Sequence, residues 1–152
     1  MPEKRTLDRA RRDRREGKAP STQAGEFVRE QIDHIREGKH GARSTKQAIA
    51  IGLSQARRAG VDLPPQAKGK TSEKTRKNEA RAYALGHGAP ARRAATPKRA
   101  RASAAALKRE GSTAASHEAL AKQARSSARA HTAGERSAAA RKAARTREMR
   151  TH

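Results

Sequence analysis

The sequence predicts an all-α protein: a small αα-hairpin, an exposed N-terminal helix and a basic C-terminal tail that is largely disordered or nascent-helical. Apolar residues recur at helical spacing between residues 21 and 65. Of the Val, Ile, Leu, Met and Phe residues, eleven lie before Gln66 and only four after it. The later part is rich in alanine, arginine and lysine, so we expect too little apolar burial there to offset the entropy lost on folding.

The first predicted element is a highly charged, exposed helix over residues 3–16. Leu7 is its only sizeable apolar residue, and Gly17 and Pro20 interrupt the helical pattern. Ser21 or Thr22 can then cap the first helix of the hairpin. The apolar stripe of that helix consists of Ala24, Phe27, Val28, Ile32 and Ile35, and Gly38 ends it.

The second helix of the hairpin carries the clearest start and stop signals. Ser44 and Gln47 have the spacing of a capping box. Gly60 stops the helix, and two prolines that follow prevent it from resuming. The small residue Gly52 lies in the middle of its apolar face, so we expect the two helices to approach closely there.

The remaining chain divides by composition. A further short helix is predicted from Glu73 to Leu85, with Gly86 as its stop. The predicted organisation is therefore a charged helix (1–20), a helical hairpin (21–65), a linker with a short helix (66–90) and an Ala/Arg/Lys-rich basic tail (91–152). Like charges repel along the tail, so we expect its helices to become stable only when an anion neutralises them.

Net charge indicates a polyanionic partner. The chain has 37 basic and 15 acidic residues, a formal net charge of +22, and residues 66–152 alone carry +16. Single-strand and RNA-loop recognition usually uses several aromatic side chains, but the chain has only Phe27 and Tyr83. Duplex DNA is therefore the favoured partner, with RNA as a second option and a homodimer through the hairpin left open.

The turn from Lys39 to Lys46 is the most specific candidate site, because it places Arg43, Lys46 and free amide groups at a helix N-terminus. It fits a purely structural turn, a phosphate contact, or the turn of a helix-turn-helix whose second helix enters the major groove. The candidate phosphate-binding residues are Arg43, Lys46, Arg57, Arg58, Arg92, Arg93, Lys98, Arg99, Arg101, Lys108, Arg109, Arg141, Lys142 and Arg145.

Several other functions are disfavoured. The chain has no cysteine, and isolated histidines such as His34, His40 and His87 are usually ordinary polar residues, so we expect neither a cofactor nor a metal. Gly69-Lys70-Thr71 lacks the earlier glycine of a phosphate-binding loop. We do not expect an enzyme, since so small a core cannot shape a catalytic pocket. No long apolar segment is present, which predicts a cytoplasmic protein without a membrane partner.

Two resemblances extend this prediction. The segments Gly25-Glu-Phe-Val-Arg-Glu and His34-Ile-Arg-Glu-Gly-Lys-His-Gly-Ala-Arg43, continuing through Ser54 to Gly60, resemble an uncharacterised family of small basic bacterial proteins over about residues 1–80. The tail resembles those of histone H1-like bacterial proteins, which implies binding to the chromosome in the nucleoid. The expected function is non-sequence-specific DNA binding by phosphate neutralisation. The alternative is a protein-interaction hairpin with an RNA- or ribosome-binding tail.

Overall fold

The computed structural model describes residues 1–90 and 96–149, and every regular element within those ranges is helical. The elements are α1 (Lys4–Arg15), α2 (Pro20–Arg36), α3 (Thr45–Arg58), α4 (Glu73–Gly86), α5 (Pro97–Arg109), α6 (His117–Arg129) and α7 (Ala133–Glu148), with a 3₁₀ turn at Thr113–Ala115 before α6. The predicted all-α class is thus confirmed. In these ranges no helix is long and apolar enough to cross a bilayer.

The predicted hairpin is formed by α2 and α3, which pack against each other. Gly52 lies at their crossing, where a Cβ atom would come within 2.6 Å of the Val28 Cα. Only glycine therefore permits this separation of the two backbones. Gly38 and Gly60 follow the two helices with φ angles of +72° and +86°, the left-handed conformation of a helix stop.

Both helix starts differ in detail from the predicted caps. Pro20 is the first residue of α2, so Ser21 and Thr22 lie inside its first turn and do not cap it. At α3, the Ser44 hydroxyl accepts a hydrogen bond from the Gln47 amide, as predicted. The Gln47 side chain, however, accepts from the amide of Arg43, one residue earlier than in a capping box.

The predicted exposure of α1 holds for only part of the helix, because one face packs on α2 and buries Thr6, Ala10 and Asp13. No apolar stripe reveals this face in the sequence, because part of the face is polar. Polar groups are buried at low cost when they are paired, and Asp13 forms an ion pair with Lys18.

The start of α1 is held to α2 through the acidic residue Glu3. Its amide donates to the Glu30 carboxylate, and its own carboxylate lies 2.9 Å from the Nε2 of His34. This hydrogen bond from His34, together with the charges of Arg5 and Lys39, lowers the pKa of Glu3 to about 2. The start of α1 is therefore fixed to α2 in part by contacts that depend on an ionised Glu3 carboxylate.

The predicted helix at residues 73–85 is confirmed as α4, which packs against α3. Two of the contacts between these helices are specific to the residues involved. The Arg57 guanidinium lies 3.3 Å from the Glu79 carboxylate, and Gly86 approaches the Arg57 carbonyl so closely that a Cβ atom there would overlap it. The N-terminal half of the chain is therefore a four-helix core rather than an isolated hairpin.

The prediction of a largely disordered or nascent-helical tail is wrong, because α5, α6 and α7 are formed helices. Alanine, arginine and lysine have high helix propensity. Side chains of Thr96, Ser116 and Thr132 cap the three helices, and Thr132 forms a full capping box with Glu135. High helix propensity and these caps thus outweigh the repulsion between like charges that we expected to prevent stable helices.

Residues 110–116, which we call the strap, dock onto the connection between α2 and α3. Ala114 and Ala115 are buried in an apolar cluster with Ile32, Ile35, Ala42 and Ala48. Four hydrogen bonds to main-chain carbonyl groups anchor this region. The Gly41 amide donates to Leu107 at 2.9 Å, and the Ala42 amide donates to Gly111 at 3.1 Å. The Thr45 hydroxyl donates to Ala114 at 2.7 Å, and Arg36 Nε donates to Ala115 at 2.9 Å. The tail is thus part of the core, while α5 and α7 bury none of their residues.

Candidate nucleic-acid interface

A groove with basic walls lies between the start of α3 and the strap with the first turns of α6. It has a volume of about 600 Å³, and we call it the basic groove. Its lining residues are Arg43, Ser44, Thr45, Lys46, Thr113, Ala114, Ser116, Glu118, Ala119, Lys122, Gln123 and Ser126. Because one wall consists of tail residues alone, docking of the strap is what completes the groove.

The basic groove carries more positive than negative charge. Arg43, Lys46 and Lys122 line it and are exposed, whereas Glu118 is the one carboxylate among the described residues that line it. None of the three cations forms an ion pair with a carboxylate within the described ranges. Their charge is therefore free to attract an anion from solution.

Two helix N-termini open into the same groove. The Ser44 hydroxyl caps α3, and the Ser116 hydroxyl caps α6 by accepting from the Ala119 amide at 3.1 Å. The positive ends of both helix dipoles therefore add to the three side-chain charges. Hydroxyl groups of Thr113 and Ser126 supply further hydrogen-bond donors. This combination of donors suits a phosphate group.

Most of the predicted phosphate-binding residues are exposed. These are Arg43, Lys46, Arg58, Lys98, Arg99, Arg101, Lys108, Arg109, Arg141, Lys142 and Arg145. Arg92 and Arg93 lie outside the described residues. Only Arg43 and Lys46 of the predicted set line the basic groove, while those of α5 and α7 lie on helices outside the core.

The prediction for Arg57 is wrong, because its side chain is structural. Arg57 is 3% exposed, its Nε donates to the Leu63 carbonyl at 2.9 Å, and its guanidinium pairs with Glu79. A buried and paired guanidinium is not available to a phosphate. The sequence alone did not distinguish Arg57 from its exposed neighbour Arg58, since both follow an apolar helix face.

The geometry of α3 also disfavours reading of the major groove. This helix packs against both α2 and α4. Of the polar side chains on α3 that could read bases, Gln55 accepts a hydrogen bond from Gln31, and Arg57 is buried. Specific readout needs several free side chains on one helix face. The groups left on α3 favour contact with a phosphate backbone.

The outer helices add two further basic faces. At 3.6 residues per turn, all the basic side chains of α5 fall on one half of the helix. These are Lys98, Arg99, Arg101, Lys108 and Arg109. On α7, Arg141, Lys142 and Arg145 likewise share one face. Because neither helix is covered by the core, both faces are open to solvent.

Sequence reasoning missed the contribution of α6. Lys122, Arg125 and Arg129 have the i, i+3, i+7 spacing that places side chains on one helix face, and all three are exposed. Lys122 lines the basic groove, and the other two extend its charge along α6. The spacing was a readable signal, but we expected no stable helix in this region.

Fold and site together define a small helical protein with an anion-attracting surface. Residues 3–67 match the model of a protein family that is described as a family of unknown function (DUF6496). The matched range contains α1, α2 and α3 and is less than half of the chain. The predicted resemblance to an uncharacterised family is confirmed over this range, and the tail lies outside it. No curated protein and no solved structure matches the chain.

Proposed function

We propose that this protein binds duplex DNA without sequence specificity, by neutralising backbone phosphates, and acts as a nucleoid-associated, histone H1-like protein. The observation that carries the proposal is the basic groove, where the strap brings Lys122 of the tail beside Arg43 and Lys46 of the core. Three cations that line one groove together with two helix N-termini are suited to phosphate oxygens and offer no base-specific pattern.

The outer helices support the same function. Their basic faces lie outside the core, so α5 and α7 can contact phosphates beyond those held in the basic groove. Each phosphate contact releases condensed counterions, which makes affinity fall steeply with salt. A molecule whose separate helices contact two duplex segments would bridge them, and this is the route by which we propose that it compacts DNA.

The test is a salt titration of binding to a random-sequence DNA duplex, measured by fluorescence anisotropy. The variant Arg43→Gln/Lys46→Gln/Lys122→Gln removes the groove cations. We expect the slope of log K against log salt to decrease in magnitude by about 0.9 for each phosphate that the variant no longer neutralises, or roughly 2–3 in total. Absence of binding by the unmodified protein at low salt would refute the proposal.

A charge-matched control separates the basic groove from general positive charge. Lys74, Lys77 and Arg81 are exposed and share the face of α4 that does not line a cavity with α3. Their replacement by glutamine removes the same charge and should change the slope by less than about 0.9, the value for one phosphate. Equal changes of slope in both triple variants would show that the groove has no special role. Stronger competition by structured RNA than by duplex DNA would make RNA the partner instead.

A further inference from the structure

A second open cavity lies where α1 meets the ends of α3 and α4. It has a volume of about 570 Å³ and shares no lining residue with the basic groove. Tyr83 and His87 line it together with Arg14 and Asp62, and we call it the aromatic cleft. A volume of this size is within the range of sites for small organic ligands.

The two rings of the aromatic cleft form a rigid stack. Tyr83 and His87 are four residues apart at the end of α4, and their ring centroids are 4.0 Å apart with an interplanar angle of 20°. The Tyr83 hydroxyl donates to Asp62 Oδ1 at 2.8 Å, and His87 Nδ1 donates to the Tyr83 carbonyl at 2.8 Å. Both rings are therefore fixed before any ligand arrives, so little entropy remains to be lost on stacking.

The backbone holds this stack against the rest of the cleft. Gly86 approaches the end of α3 at a distance that excludes any Cβ atom, and Gly60 turns the chain there with a φ angle of +86°. Arg14, on the facing helix α1, is exposed. It also lines an adjoining cavity of about 230 Å³ whose walls include Leu7, Phe27 and Val61. A planar ring, an adjacent cation and an apolar recess are thus contiguous.

We propose that the aromatic cleft binds an unpaired nucleobase, stacked on the Tyr83–His87 pair with its phosphate at Arg14. A planar π system and an adjacent anion are the two features of a nucleotide that these groups recognise. The second oxygen of the Asp62 carboxylate can accept from an exocyclic amino group, so adenine should bind better than thymine, which has none.

This inference is independent of the proposed duplex binding, because a base inside a duplex cannot reach the ring faces. The aromatic cleft would recognise unpaired nucleotides, in addition to the binding of the DNA phosphate backbone by the basic groove. The ligand has two sources, a free mononucleotide or an unpaired segment of a strand. Both present the same base and phosphate to the cleft.

The test compares a labelled five-nucleotide adenine DNA strand with an abasic strand of equal length and charge, by anisotropy. Stacking of one base should make the adenine strand bind about 5- to 150-fold more tightly. Tyr83 is the only tyrosine, tryptophan is absent and Phe27 is fully buried, so loss of the base-dependent difference in a Tyr83 variant reports on this cleft. Tyrosine fluorescence should also be quenched by the adenine strand and not by inorganic phosphate.

Variants make the test specific. Tyr83→Leu should abolish the difference between the two strands, whereas Tyr83→Phe, which keeps the ring and removes the hydrogen bond to Asp62, should retain most of it. Arg14→Gln should weaken binding more than Arg15→Gln, an exposed neighbour that does not line the cleft. Equal affinity of the unmodified protein for the adenine and abasic strands overturns the inference.

Two further arms identify the source and separate the proposals. Quenching by deoxyadenosine monophosphate alone supports a free-nucleotide ligand, and quenching by the strand alone supports an unpaired DNA segment. The triple variant of the basic groove should keep the base-dependent difference. If this variant fails to bind duplex DNA but still binds the adenine strand more tightly than the abasic strand, the two sites act separately. If the unmodified protein does not bind duplex DNA but binds the adenine strand more tightly than the abasic strand, only the proposed function fails.

Discussion

Docking of the strap can be tested at a single glycine. A Cβ atom at Gly41 would overlap the carbonyl group of Glu110, which is main chain and cannot rotate away. The strap must retreat by about 1 Å or more to restore ordinary contact. The Glu110 amide donates to the Leu107 carbonyl, so the end of α5 moves with the strap. The hydrogen bonds from the Gly41 amide to Leu107 and from the Ala42 amide to Gly111, now 2.9 and 3.1 Å, then lengthen beyond about 3.5 Å.

The cost follows from those two amides. Each buried donor left without a partner costs about 1–3 kcal/mol, so Gly41→Ala should destabilise the docked strap by about 2–6 kcal/mol. Undocking then becomes the cheaper response, because water can satisfy the freed groups. The population of the docked state relative to the undocked state should fall by about 30-fold or more.

The measurement is amide hydrogen exchange at Ala42, whose N–H donates directly to the strap. Protection there should fall in Gly41→Ala and remain in Gly111→Ala. Gly111 belongs to the same region of the strap, but a Cβ atom there meets nothing closer than the Thr113 hydroxyl at 3.9 Å. Equal protection in the two variants would show that the strap is not held as described.

Three further outcomes are expected from the core. Gly52→Ala should destabilise the fold by about 1–3 kcal/mol in urea unfolding, whereas Gly25→Ala, where a Cβ meets open space, should stabilise it by about 0.5–1 kcal/mol. Arg57→Ala should cost about 3–5 kcal/mol because it leaves a largely buried carboxylate on α4 unpaired, while Arg58→Ala should stay within about 0.5 kcal/mol, again by urea unfolding. The pKa of Glu3 is lowered to about 2 by the hydrogen bond from a histidine of α2, so its contribution to stability is complete above pH 4.5 and is lost as the pH falls towards 2. The difference in melting temperature between the unmodified protein and Glu3→Gln should accordingly narrow over that interval, and a constant difference would contradict this assignment.

The hairpin could be predicted because its determinants are local. Gly38 and Gly60 stop their helices through their own backbone conformation, and the Ser44 hydroxyl caps α3 with a neighbour three residues away. The close packing at Gly52 was also readable, since a small residue within an apolar helix face indicates a crossing. Such features depend on a few adjacent residues and little on the remaining fold.

Two of the corrected predictions, those for Arg57 and for the exposure of α1, have a common physical origin in the pairing of buried polar groups. Arg57 is buried because Glu79 and the Leu63 carbonyl satisfy it, and Asp13 is buried because Lys18 does so. Hydropathy alone assigns all such residues to the surface. The basic groove was only half predictable because its two walls come from distant parts of the chain. Arg43 and Lys46 were identified from their turn, but Lys122 on the opposite wall belongs to α6.

The strap explains why a chain with so few large apolar residues forms an extended core. Ile32 and Ile35 of the hairpin lie in one cluster with Ala114 and Ala115, so the tail covers apolar surface that the hairpin leaves open. Alanine suits this position because a main chain without bulky side groups can approach closely enough to hydrogen-bond to the α2–α3 connection. The same docking sets Lys122 beside Lys46. An anion that contacts both lysines would bind only the state in which the strap is docked, and it would therefore stabilise that state. The stability of the docked strap and the occupancy of the basic groove would then both report on the same docking equilibrium.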